Sequence, residues 1–527
     1  MESCRLSASR HELKLNLGTV GHLSTRSKPL AKAGILSKIH YQERASSVVF
    51  VPLCFKMAAW VFHQRSGIDP ADERSSEYTH GFVYEHRDAI APRAIAPSPN
   101  RKSESKKPMN KLPFQDAWML VSLTLFACSA LGFAPPTEPL APADQLASKS
   151  LPLQVYILAG QSNMQGHAKI STFEHIGMDP ATKPMLDEML GADGKPKVCE
   201  RVWISSIGCA ESEQIGKLTA GFGASTEKIG PEFTFGLTMQ KLTDAPILII
   251  KTSWGGKSLH TDFRPPSAGP YVFNEALLGN LQKQGKDLAA IQADKAKETG
   301  GYYRQMIDHV KLVLSDLKRV IPEYDDSVGY QIAGFAWFQG WNDMVDAGTY
   351  PNRDKPGGYD QYSSALAHFI RDVRKDLNAP KLPFVIGVLG VGGPTSEYGP
   401  DQLRYKSTHD HFRAAMAAPA LLPEFQGNVA TVLAEKYWDG ELTRAKAKEK
   451  ELEQRAKAQA KEEKLSPQQE KALVEQMRRE GLSDRQRLVI EKGISNLEFH
   501  YLGSAKILGG VGKGLAEAMA ELKQLEK

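Results

Sequence analysis

Hydrophobic positions along this chain follow two rhythms, which begin to alternate at about Leu151. Short apolar runs recur at residues 154–158, 201–205, 246–251, 329–338 and 383–389. Runs of this kind read as β-strands, and the first, with no polar face, as a strand buried on both sides. Between them lie amphipathic stretches at 233–242, 302–320, 359–377 and 402–418. Strands alternating with helices predict a parallel sheet covered on both faces. Residues 504–525 carry Ile507, Val511, Leu515, Met519 and Leu522 at helical spacing, which predicts a C-terminal helix packed on the sheet.

Residues 441–487 break the rhythm. They are dense in Lys, Glu, Ala, Gln and Arg, interrupted at Ser466-Pro467 and Gly481. Strong helix formers with mixed charge predict a charged, solvated helical hairpin inserted before the C-terminal helix. No clean apolar heptad runs through it, so a partner-binding coiled coil is the lesser reading and any protein partner is unknown.

Residues 1–108 lack a clear period, and 91–107 are rich in Pro, Ser and Lys, so this part reads as a disordered or spurious extension. From Met109 a basic start leads into the 17-residue apolar stretch 117–133, which ends in small residues and is followed by a Pro-rich linker at 135–151. Those are the three parts of a secretory signal. The expectation is that translation starts at or near Met109 and that 109–134 is a signal peptide. The runner-up is a membrane anchor, although the stretch is at the short limit for spanning. Either way the protein is expected to be exported (periplasmic, secreted or membrane-anchored), with its folded domain at 152–527.

Composition changes this picture little. A formal charge of +5 over 527 residues is too small for a dedicated nucleic-acid binder. None of the five cysteines forms a CxxC or a Cys/His cluster with zinc spacing. Cys199 and Cys209 fall in the folded part, and spacing leaves a short-loop bridge and two free buried thiols equally open.

Candidate chemistry lies where the predicted strands end. The first run is followed by Gly160-Gln161-Ser162-Asn163-Met164, and a serine delivered beyond the carboxyl end of a buried strand is a nucleophile candidate. After the third run come Gly255 and Gly256, where backbone N–H groups can approach an oxyanion closely. After the fourth run, Gln339-Gly340-Trp341-Asn342-Asp343 places the Asn342 amide for the same task. His500 precedes the last helix and can serve as general base. Each alone is weak: a glycine pair is usually a turn, Asn-Asp a turn or cap, and a lone histidine structural. Together they make up the set that acyl transfer needs.

The order Ser, Gly, Asn, His resembles the SGNH (GDSL-like) hydrolases. More narrowly, Gly160–Met164 and the Gln339-Gly340 block resemble the sialate O-acetylesterase family, similar to carbohydrate esterase family six. The resemblance spans about 153–525. It implies a flavodoxin-like three-layer α/β/α sandwich with a central parallel sheet of about five strands. It implies hydrolysis of acetyl esters on carbohydrates without metal or cofactor. By resemblance, Ser162 is nucleophile, Gly256 (or Gly255) and Asn342 join the Ser162 N–H as oxyanion donors, and His500 is base. The chain departs from the family pattern twice. Trp341 stands where many relatives have Glu, and Leu497 stands where many have Asp, three residues before the histidine. Three orienters for His500 stay open: Glu498, Asp439, or a backbone carbonyl in a Ser–His dyad.

Two other histidines compete. His167 would have to fold back from the Ser162 loop, and His260 is better placed to line a pocket. Trp254, Asp262, Phe263, Arg264 and Trp341 are candidates to shape a sugar cleft, against the plainer reading of core aromatics and loop polars. Ser162 is not in a Gly-x-Ser-x-Gly elbow, which disfavours an α/β-hydrolase. No phosphate-cradling glycine loop follows the first strand, which disfavours a flavodoxin-like cofactor binder. The rival functional classes are a non-catalytic carbohydrate-binding protein on a decayed esterase fold and an esterase for non-sugar acyl groups.

Overall fold

The computed structural model describes residues 151–524. The extension, the signal or anchor and nearly all of the Pro-rich linker lie outside the described residues. Among those described, no helix is long and apolar enough to cross a membrane.

Seven strands form the main sheet: β1 (Leu153–Gly160), β2 (Val202–Ile207), β3 (Gln214–Lys217), β4 (Ile247–Ser253), β5 (Tyr330–Phe338), β6 (Phe384–Val388) and β7 (Val429–Leu433). Their order is β3-β2-β4-β1-β5-β6-β7, with only β3 antiparallel. Every residue of β1 and of β4 is buried, as expected of strands covered on both faces. Numbered among themselves, β4-β1-β5-β6-β7 give the flavodoxin-like order 2-1-3-4-5. The sheet is therefore larger than five strands, because β2 and the edge strand β3 extend it beyond β4. β1 sits centrally, at the point where the winding direction reverses.

Helices α2 (Pro231–Leu242), α3 (Gly301–Ser315), α5 (Asp360–Asp376), α6 (Leu403–Ala417) and α10 (Ala505–Lys523) supply the outer layers. Successive strand residues point to opposite faces, and β5 shows the consequence. A side-chain carbon on Gly334 would lie 2.3 Å from Met519 Sδ of α10, whereas the next residue, Phe335, packs its ring against Phe369 of α5. Tyr303 of α3 meets the same Phe369 edge-on, and α2 packs on α10. That last contact is close: a side chain on Gly512 would begin 2.2 Å from Pro231 O.

The charged insertion is not a simple hairpin. It comprises α7 (Gly440–Glu462), α8 (Pro467–Gly481) and α9 (Asp484–Gly493). Ser466 and Ser483 each close a capping box, with Gln469 and Gln486 respectively, and so start a helix at or just after the interruptions at Ser466-Pro467 and Gly481; α9 runs past 487 to Gly493. Ala445, Leu452, Leu482 and Ile490 form its own small core, while α8 buries nothing.

Candidate active site

Three strand ends meet at one level. In register, Gly160 of β1 faces Ser253 of β4 on one side and Phe338 of β5 on the other. Only glycine fits at 160, because a side-chain carbon there would lie 2.2 Å from Phe338 O. The chain then leaves each strand toward the same space. Ser162 opens the one-turn helix α1 (Ser162–Gln165), Gly255 follows β4, and Asn342 lies in α4 (Trp341–Val345) after β5.

Ser162 is 8% exposed, and its hydroxyl has no hydrogen-bond partner among the described residues. A side-chain carbon on Gly255 would lie 3.9 Å from Ser162 Cβ and 3.0 Å from Gln165 Oε1. Gly256 has a left-handed φ of 75° and open space around it. Of the two glycines, Gly255 is thus the one that lies against the serine. The Asn342 backbone N–H donates to Gln161 Oε1 at 3.4 Å, and its side-chain amide has no partner among the described residues.

The α1 turn is held from below by Lys251 of β4. This lysine is fully buried; its ammonium donates to Gln165 O (2.8 Å), Phe222 O (2.7 Å) and Glu232 Oε2 (2.7 Å). Three donors thus meet three acceptors, the condition under which a buried charge is tolerated.

The glycine loop is held by Asp343, also fully buried. Its carboxylate accepts from the Leu259 N–H (2.8 Å), the His260 N–H (3.0 Å), Gln339 Nε2 (2.6 Å) and Tyr350 OH (3.2 Å). A residue that reads as an ordinary helix-start acid therefore ties the β4 and β5 loops together.

His500 sits on the turn Glu498–Gly503, which packs against α1. Tyr501, Leu502 and Gly503 all have left-handed backbones, with φ of 54°, 59° and 58°. Such a conformation costs a non-glycine residue about 1–2 kcal/mol, and bonds on all sides hold it. The Gly390 N–H donates to Tyr501 OH at 3.0 Å, and Leu502 O accepts from the Ser495 and Asn496 N–H groups. His500 Nδ1 lies 2.9 Å from Asn496 Oδ1. The ring of His167 lies flat on that of His500, with centroids 4.0 Å apart and planes 2° from parallel. Burial, then the positive Lys228, push His500 down to about 4; burial, then His500, Lys228 and Lys251, push His167 down to about 3.

Neither carboxylate considered for His500 bonds to it. Asp439 caps α7 through the Leu442 N–H (2.9 Å) and pairs with Lys506 (2.8 Å) and His175 (3.6 Å). Glu498 is exposed and makes no hydrogen bond to the ring. The side chain that reaches the ring is that of Asn496, four residues before the histidine, rather than that of Leu497, three before it. His260 has both ring nitrogens engaged, Nδ1 with Thr261 Oγ1 at 2.7 Å and Nε2 with Asp346 at 3.0 Å.

Of the residues considered for a sugar cleft, Phe263 is core. Asp262 holds the Ser258 N–H and hydroxyl, and Arg264 bonds the Ala268 and Gly269 carbonyls. Trp254 and Trp341 remain half-buried near the strand ends. Cys199 and Cys209 are free: the first is buried, and the second lies half-buried with Sγ 3.5 Å from Ser253 Oγ. Among the described residues no three His, Cys, Asp or Glu side chains converge as a metal site would require.

An α/β sheet with a serine-bearing turn at the switch point, flanked by glycine and asparagine loops, marks the class. The sequence profile of the family described as carbohydrate esterase, sialic acid-specific acetylesterase matches residues 152–423, just over half the chain. The chain belongs to that family. The match ends before the insertion and before His500. No curated protein matches. Among solved structures, the chain is similar to a carbohydrate acetylesterase from Xanthomonas citri at 14% identity and a TM-score of 0.31, covering 54% of this chain and 51% of that one. A protein from Arabidopsis thaliana aligns at 17% identity and a TM-score of 0.29, over 54% of this chain and 86% of that one. This chain thus spans about half the length of the first.

Proposed function

We propose that the chain is a serine esterase that removes O-acetyl groups from carbohydrates through an acyl-enzyme. The observation that carries this reading is the register of Gly160 with Ser253 and Phe338, so that the segments bearing Ser162, Gly255 and Asn342 leave the sheet at one level. Family membership supports the carbohydrate ester as substrate class.

In the first step His500 Nε2 takes the Ser162 hydroxyl proton as the oxygen attacks the acetyl carbonyl carbon. The C=O electron pair moves onto oxygen. The Ser162 N–H, the Gly255 region and the Asn342 amide are the donors assigned to that oxyanion, where preorganised N–H groups stabilise charge as it develops. The oxyanion's electron pair then re-forms C=O, the bond between the acyl carbon and the sugar oxygen breaks, and the sugar leaves as an alcohol with the proton from Nε2. Water repeats the sequence on the acyl-serine, releasing acetate.

Turnover of an acetylated pyranoside by the purified protein tests this. Ser162→Ala is expected to reduce it to background, and His500→Ala to lower kcat by about 10²–10⁴-fold. Absence of turnover in the native chain, or turnover indifferent to Ser162→Ala, would favour the non-catalytic carbohydrate binder. Strong preference for long acyl chains would favour the non-sugar esterase. Export is part of the same proposal and rests on residues 109–134; fractionation of cells making the full chain checks it.

A further inference from the structure

The mechanism above gives Trp341 no task. It sits between Gly340 and Asn342 at the start of α4, half-buried, beside the proposed oxyanion donor. Its ring stacks on that of Phe499, with centroids 5.8 Å apart and planes 29° from parallel. Phe499 is also half-buried, and it meets the His500 ring edge-on at 4.3 Å. One aromatic pair therefore bridges the oxyanion side of the site and the base.

Chemistry says which half of the ester lies there. The leaving oxygen must take its proton from His500 Nε2, so the alcohol portion departs on the side of His500. The acetyl methyl, by contrast, stays with the carbonyl among Ser162, Gly255 and Asn342. Large half-exposed rings beside the leaving group offer an apolar wall. A pyranose presents axial C–H groups on one face and can lie against such a wall with its hydroxyls at the rim.

We propose that Trp341 and Phe499 form the leaving-group subsite, and that they select an alcohol with an extended apolar face, a pyranose ring, over a small aliphatic alcohol. This rests on the esterase reading above and names the residues that choose the alcohol. The alternative role for the pair is to clamp the His500 turn onto α4, which would affect every substrate alike.

Two measurements separate these. First, kcat/KM is measured for a mono-acetylated methyl pyranoside and for ethyl acetate in the native chain, Trp341→Ala and Phe499→Leu. The ratio of pyranoside to ethyl acetate is expected to fall by roughly tenfold in each variant, mainly through KM for the sugar. A proportionate loss on both esters, through kcat, would overturn the proposal in favour of the clamp. Second, binding of the same pyranoside is measured by calorimetry in a Ser162→Ala background, where no turnover is needed. Adding Trp341→Ala should weaken it by roughly tenfold. Unaltered affinity would overturn the proposal even if the protein proved not to be an esterase. Circular dichroism checks that the variants fold, and Phe499→Leu, which keeps apolar volume, serves if Trp341→Ala does not.

Discussion

His500 and Asn496 are joined by a 2.9 Å contact between Nδ1 and Oδ1, and a third group fixes its direction. The Leu497 N–H donates to the same Oδ1 at 2.8 Å. That oxygen is therefore the acceptor, Nδ1 carries the proton, and Nε2 is left with a lone pair. An amide does here the orienting work that a carboxylate does in a Ser-His-Asp triad. It cannot stabilise the imidazolium by charge. Asn496→Ala should lower kcat by about 10–10³-fold with little change in KM, less than the roughly 10⁴ lost when a triad tautomer is reversed. Asn496→Asp keeps the acceptor and adds charge, so it should retain activity and move the acid limb of the pH profile upward. Equal losses in both variants would show that the contact does not orient the base.

The pH profile itself follows from the depressed histidines. His500 must be neutral to act, and with its pKa near 4 the acid limb of kcat/KM should fall there rather than near the ordinary histidine value of about 6.5. Burial is the larger cause and Lys228 the second. Lys228→Gln removes a positive neighbour, makes protonation easier, and should shift the limb upward while leaving it below about 6.5. For stability the sign is the same. His500, His167 and His409, the last also pushed to about 4 by burial and Arg413, bind protons in the unfolded chain before the native one does. Their contribution is intact above about 6.5 and is lost as pH falls toward 4. Urea midpoints at pH 7 and pH 5 check this, the lower pH giving the lower midpoint.

Lys251 and Glu232 make a more drastic prediction. Lys251→Met strands a buried carboxylate and leaves two carbonyls, one of them at the end of α1, without their donor. Breaking a buried pair in this way costs about 3–5 kcal/mol, read from denaturant unfolding. Lys251→Met with Glu232→Leu should recover part of that loss. Activity should stay low in both, because Gln165 O has still lost its anchor. A single variant within about 1 kcal/mol of native stability would sink this account.

Much of the scaffold was legible because the central strands have apolar, fully buried middles: Val155–Ala159 of β1, Ile247–Ile250 of β4 and Ala333–Phe338 of β5 stand out as apolar runs. The edge strand β3 did not, since Gln214–Lys217 alternates half-buried and exposed positions and reads as loop. β7 is short and partly covered, and follows a stretch of short turns holding Pro419 and Pro423. Ser162, Asn342 and the glycine pair could be nominated from their places after strands, although the preference for Gly256 over Gly255 was wrong about which lies against the serine. What holds the site could not. Lys251 looked like the polar end of a strand, and its three acceptors come from segments as far as 86 residues away. Asn496 escaped notice because the chain turns just after it: the His500 N–H donates to Leu497 O at 3.0 Å, and Asn496 Oδ1 is the group that reaches Nδ1. The His167–His500 stack joins residues more than three hundred positions apart and has no local signature.

Asp343 was the least conspicuous of these residues, and removing it should be costly. Its carboxylate is the shared acceptor for the Leu259 and His260 N–H groups, the Gln339 amide and Tyr350 OH, all inside the protein. Asp343→Ala leaves several buried donors without an acceptor, at about 1–3 kcal/mol each before relaxation. Asp343→Asn keeps the shape but only one good acceptor oxygen, and one N–H must then face a donor. It should be the milder variant in denaturant unfolding. Both should also lower kcat, because Leu259 and His260 lie just beyond Gly255, and freeing them lets the glycine loop drift from Ser162. Loss of that preorganised loop should resemble loss of one oxyanion donor, about 10²–10³-fold in kcat. The discriminating measurement is kcat at a temperature where both variants are fully folded by circular dichroism. A stability loss with native kcat there would make Asp343 a fold anchor only and would detach the glycine loop from its control.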